Sequence, residues 1–209
     1  MSDCNCDYTP PESRPCMNCR LRARQAPPDY VIEAARKAAL RSPCQKSKRG
    51  VAAFYREDAE RMELDSTFAE VVIATQNRDN VVIASVGWNS PPKGFLCDGS
   101  AECRRDCAKF CLHAEHRAIR AAGVIDGLCD DLELVHVKVI GEQIAAGGPP
   151  SCWQCSREIV DVGVHGVWLY EAPTHFTPAS LATGTWHFYT AHDFHCETLK
   201  NCGIAGVPT

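Results

Sequence analysis

Two short stretches hold residues of the kind that does chemistry. The first is "FCLHAEHRAIRAAG", residues 110–123, with His113 and Glu115 two positions apart. The second is "GGPPSCWQCSREIVDVG", residues 147–163, with Cys152 and Cys155 three apart. Each pair opens a run that reads as a helix, closed by Gly123 and Gly163 respectively; glycine is common just past a helix end. A catalytic zinc takes three protein ligands and keeps one position for water. His113, Cys152 and Cys155 supply three, and cysteines three apart in a first helical turn reach one point. Two helix N-termini facing the metal favour thiolates through their partial positive charge. Glu115 stands beside His113 without being needed as a ligand. It is placed to take a proton from water whose pKa zinc lowers to about 7, and to pass that proton to a leaving amine.

The elements that must position these residues alternate between strand and helix. A helix is expected over residues 29–41 ("DYVIEAARKAALR"), capped by Asp29 and stopped by Pro43. "GVAAFY" (50–55) reads as a strand, and the charged "REDAERMELD" (56–65) as an insertion or short helix. The β-branched runs "EVVIAT" and "NVVIASVGWN" flank "QNRDN", a hairpin signal. Either "GVAAFY" or "EVVIAT" is the first core strand. Residues 91–111 ("PPKGFLCDGSAECRRDCAKFC") read as a loop with four cysteines. "LELVHVKVI" (132–140) and "VHGVWLYE" (164–171) are strands, with a loop over 141–151. The tail reads as a loop and then a helix over 190–202. The alternation predicts an α/β fold with helices packed on a sheet.

At 209 residues the chain fits one domain with extensions. The expected division is a Cys-rich N-terminal extension over 1–28, a main domain over 29–175, and a C-terminal extension over 176–209. Net charge is -4, a poor match to the strongly basic surface that tight nucleic-acid binding uses. The sequence shows no signal-peptide apolar region and no 18-residue apolar run, so the expectation is a cytoplasmic chain without a membrane span. In that setting 14 cysteines favour metal ligation over disulfides. Cys4, Cys6, Cys16 and Cys19 are spaced C-x-C…C-x2-C, and Cys97, Cys103, Cys107 and Cys111 are spaced C-x5-C-x3-C-x3-C. Each set is a candidate structural zinc site, which gives one or two ions besides the catalytic one. His192, His195, Cys196 and Cys202 in the tail read as packed or surface residues. Trp153, Trp168, Trp186 and Phe188 read as core.

The main constellation resembles a known one. H-x-E followed by P-C-x-x-C marks the zinc nucleobase deaminases; here Ser151 stands between Pro150 and Cys152. Three further segments are similar to the deoxycytidylate (dCMP) deaminases. "IASVGWNSPPKGFLC" (83–97) resembles their G-Y-N-G-x-P-x-G segment. "AARKAALRSPCQKSKRGVA" (34–52) is similar to their first helix and Ser-x-Cys turn, and "SCWQCSREIVDVGVHGVWLY" (151–170) to their second zinc helix and following strand. The resemblance covers about residues 30–171. It implies a cytidine-deaminase-like three-layer α/β/α fold with a mixed central sheet of about five strands. It also implies one catalytic zinc, conversion of dCMP to dUMP plus ammonia, a small-molecule nucleotide substrate, and a homo-oligomer. His113, Cys152 and Cys155 match the zinc ligands and Glu115 the proton shuttle. Asn89 matches an asparagine that contacts the sugar, and Ala114 a residue whose backbone N–H contacts the base. The sequence departs from the pattern at Trp88 and Ser90, in the segment that binds allosteric nucleotides in regulated members. It departs again at Arg117, where many members have asparagine; this arginine reads either as a phosphate contact or as a helix-surface residue. Three alternatives stand beside dCMP: a DNA or RNA deaminase, a deaminase of a free or modified base or nucleoside, and a zinc-held scaffold with a silent site.

Overall fold

A computed structural model describes residues 25–56, 81–123, 131–150, 152–171 and 184–204. The expected strand "EVVIAT", the insertion beyond Arg56, and the set Cys4, Cys6, Cys16 and Cys19 lie outside the described residues.

Alternation along the strands builds a sheet buried on both faces. β1 (Lys48–Arg56) lies between β2 (Val81–Trp88) and β3 (Leu132–Ile140), antiparallel to both. β3 runs parallel to β5 (Gly166–Glu171), and β6 (Thr185–Thr190) closes that edge antiparallel to β5. The strand order is β2-β1-β3-β5-β6, and the short β4 (Gln143–Ala145) pairs with the end of β3. "GVAAFY" is therefore a central strand.

Odd and even positions feed two cores. Ala52 and Phe54 of β1, Val135, Val137 and Val139 of β3, and Trp168 of β5 pack against α1 (Asp29–Leu40). Val51 and Ala53, Leu132 and Leu134, and Val167 and Leu169 face the other way. There they meet α3 (Ala114–Ala121), α4 (Trp153–Asp161) and α5 (Ala191–Asn201). The result is a three-layer α/β/α arrangement on a mixed sheet, as the resemblance implied.

Three elements differ from the sequence reading. The four-cysteine loop contains α2 (Ala101–Phe110), whose start is capped by Ser100 Oγ accepting from the Cys103 N–H at 3.0 Å. Its polar sequence has no apolar period, so only the cap marked it. The loop after β3 contains β4. The tail adds β6, and the "TWHFYT" alternation there lays an extra strand on β5. Among the described residues no helix is long and apolar enough to cross a membrane.

Two glycines set how closely helices approach the sheet. A Cβ on Gly50 would land on the backbone of Ala35 and Ala39 in α1, and one on Gly87 on the Ala114 carbonyl and Ala118 nitrogen in α3. Backbone cannot step aside as a flexible side chain can. Gly87→Val is expected to cost about 1–3 kcal/mol or more through overpacking, read as a lowered midpoint in thermal unfolding. Val82→Thr, on the same strand and only partly buried, is the control and should move the midpoint far less.

Candidate active site

The two helices with chemical residues start side by side. His113 is the N-cap residue of α3 and Cys152 that of α4; the Cys155 N–H points at Cys152 Sγ across 3.5 Å. His113 Nδ1 lies 3.2 Å from Cys155 Sγ, and the two sulfurs are 3.2 Å apart. The donor atoms of His113, Cys152 and Cys155 all fall within 4.8 Å of one another. His116 of α3 reaches Glu158 of α4 at 2.5 Å, which ties the two helices together one turn further on. Upstream, Ser90 and Leu112 exchange backbone hydrogen bonds of 3.1 and 2.9 Å, which fixes the chain just before His113.

One imidazole and two free thiols converging on a buried point fit a zinc ion. Unpaired, such thiols would be poor neighbours: the Cys155 thiol and His113 hold Cys152 down to about 4, while Cys152 and burial push Cys155 up. The pair thus keeps one proton between two sulfurs, and a cation relieves that conflict by taking both as thiolates. The count of three protein ligands is that of a catalytic zinc site.

Glu115 sits in the first turn of α3 and is almost fully buried. Burial works against its charge, and charge interactions with His136 and His113, present where those rings are protonated at low pH, bring its carboxyl below the ordinary range. It therefore stands ionised at neutral pH, as an acceptor of protons.

A cavity of about 460 Å³ opens over these residues, within the size range of small-molecule sites. Ala114 and Asn89 line it, along with Lys46, Arg49, His136, Trp153 and Phe194. Asn89 also organises the wall. Its Oδ1 accepts from Ser42 Oγ (2.8 Å) and the Arg49 N–H (2.7 Å), and its Nδ2 donates to the Ser47 carbonyl (2.7 Å). Arg117 does not line the cavity. Its guanidinium turns toward the Pro91 carbonyl at 3.5 Å, because its place on α3 faces the segment after β2. The basic side chains that line the cavity among the described residues are those of Lys46 and Arg49.

Trp153 corrects the reading as core: it is 44% exposed at the cavity rim, with Arg157 stacked 5.4 Å above its ring. Trp168 is core, its indole N–H donating to Glu133 at 2.6 Å. The cysteines of the α2 region gather in pairs, Cys97 with Cys103 (3.6 Å) and Cys107 with Cys111 (3.3 Å). Cys44, which the sequence reading left out of its metal candidates, interacts with Cys97, Cys107 and Cys111. Burial pushes Cys107 up to about 12. Among the described residues these sulfurs do not close as tightly as the His113 group. Cys107 and Cys111 also line the cavity.

No protein-family model matches the chain, and no curated protein sequence matches it. Among solved structures the chain is similar to the dCMP deaminase from the cyanophage S-TIM5. The apo form is 20% identical over 66% of this chain and 78% of that one, with a TM-score of 0.38. The form in complex with dCMP and dUMP is 22% identical over 68% and 82%, also with a TM-score of 0.38. A cytidine deaminase from Burkholderia pseudomallei is 16% identical over 79% of this chain and 94% of that one, with a TM-score of 0.44.

Proposed function

We propose that the chain is a zinc-dependent deaminase of a cytosine nucleotide, with dCMP as the first substrate and dUMP and ammonia as products. The observation that carries this reading is the position of Glu115. It is a buried, ionised carboxylate beside a three-ligand His-Cys-Cys site, at the floor of a cavity of nucleotide size. When bound, zinc makes water a nucleophile near neutral pH. The protein's own groups do the rest. Glu115 carries a proton to N3 of the ring and later to the departing amine. The Ala114 backbone N–H and Asn89 orient base and sugar. Lys46 and Arg49, the only lysine and arginine that line the cavity among the described residues, face the anionic end of the substrate. The paired cysteines around Cys44 are the place for a second, structural zinc.

The test is a deamination panel on purified protein with dCMP, CMP, dCTP, deoxycytidine, cytosine, guanine and a cytosine-containing single-stranded DNA. Amine-to-carbonyl exchange is followed by mass spectrometry, and metal per chain is counted alongside. Turnover of dCMP ahead of deoxycytidine supports the reading. Equal rates on both remove the phosphate from it. One observation favours a second reading: an exposed tryptophan at the cavity rim can stack a neighbouring base, as in polynucleotide deaminases. Turnover of the single-stranded DNA alone would select that reading.

A further inference from the structure

His136 lies on β3, and the deamination reading gives it no role. Its register partners are Val51 of β1 and Leu169 of β5, so it faces the α3 and α4 side of the sheet, in line with Leu132 and Leu134. It is 8% exposed and lines the cavity. Its Nδ1 lies 3.4 Å from Glu115 Oε1, and its Nε2 is buried without a hydrogen-bond partner. A polar ring on the inner face of a buried strand is costly unless its nitrogens are used.

Which nitrogen carries the hydrogen follows from this placement. Burial favours the neutral ring, which has one N–H and one bare nitrogen. With hydrogen on Nε2, a buried N–H would have no acceptor, and a lone pair on Nδ1 would face the carboxylate. With hydrogen on Nδ1, the N–H faces Glu115 and only an acceptor is left over. An unmatched buried donor or acceptor costs about 1–3 kcal/mol, so the first arrangement carries two penalties and the second one.

We infer that His136 is the positioning residue of Glu115: its Nδ1–H engages Oε1 and leaves Oε2 as the oxygen that exchanges protons with the substrate. The bare Nε2 is then an acceptor for an N–H or O–H donor brought by the ligand or by water. The kinetic arm rests on the deamination reading; the tautomer does not. A general base held about 1 Å off its productive place loses about 10²-fold in rate.

Long-range proton–nitrogen NMR on the zinc-loaded full chain reads the tautomer directly, with the His136→Asn spectrum assigning the signal. A neutral ring with hydrogen on Nδ1 is expected; hydrogen on Nε2 overturns the inference. In kinetics, His136→Leu should lose about 10²-fold in kcat with KM and zinc per chain unchanged. His136→Asn, whose amide N–H sits where Nδ1–H was, should recover most of that loss. A His136→Leu chain that folds and turns over as fast as wild type overturns the inference. So does Asn and Leu giving the same loss. If wild type deaminates nothing in the panel, the substrate reading fails and the NMR result still decides for or against His136. If His136→Leu does not fold, the wild-type spectrum decides alone.

Discussion

Glu115→Ala is expected to lose at least about 10²- to 10⁴-fold in turnover while keeping its zinc. Among the described residues Glu115 is the one acid lining the cavity, and no second acid there stands ready to take over its proton. The three candidate ligands do not include it, and it sits in α3 beside Ala114, with Ala118 one turn on, both buried in the core. Metal analysis and steady-state rates on the same preparation make the check. Loss of rate with zinc retained supports a proton-transfer role. Loss of both would make Glu115 part of the metal site instead. Glu115→Gln separates the proton from the shape, since the amide fills the same space and cannot shuttle.

Cys155→Ala is expected to lower zinc by one ion per chain and to bring turnover down to that of the metal-free protein. Cys155 is the most buried of the three candidate ligands and touches both of the others, His113 at 3.2 Å and Cys152 at 3.2 Å. Removing it leaves two donors, fewer than a catalytic zinc site uses. The loss should extend to stability, because the metal links the starts of α3 and α4 and its binding energy is part of folding. Cys202→Ala, an exposed thiol at the end of α5, is the control and should leave zinc and rate unchanged. Zinc retained in full by Cys155→Ala would break the ligand assignment.

The metal constellation was legible because it is local. Two residues between paired cysteines and one between His113 and Glu115 define directions on a single helical turn, and the helix starts were marked by their apolar periods. The groups that complete the cavity were not legible for the opposite reason. Arg49, His136 and Phe194 come from β1, β3 and α5, and their approach depends on sheet register and on the docking of α5. A signal for His136 was present: in "LELVHVKVI" it falls on the same alternate positions as Leu132 and Leu134, a polar residue in an apolar row. Arg117 misled because helical spacing gives a residue's neighbours on its own helix but not which way that helix is turned against β2. The tail strand β6 was missed because its six residues are too few to stand out from a loop by pattern alone.

Gly87 carries a consequence for engineering. The carbonyl that a side chain there would strike belongs to Ala114, the residue between His113 and Glu115. An empty position on β2 thus acts as a depth stop for both. Small side chains at this one residue would lift His113 and Glu115 together, relative to the cysteines on α4. A Gly87, Ala, Ser series is therefore a ruler: it varies the spacing between the two halves of the centre without replacing any of its reactive side chains.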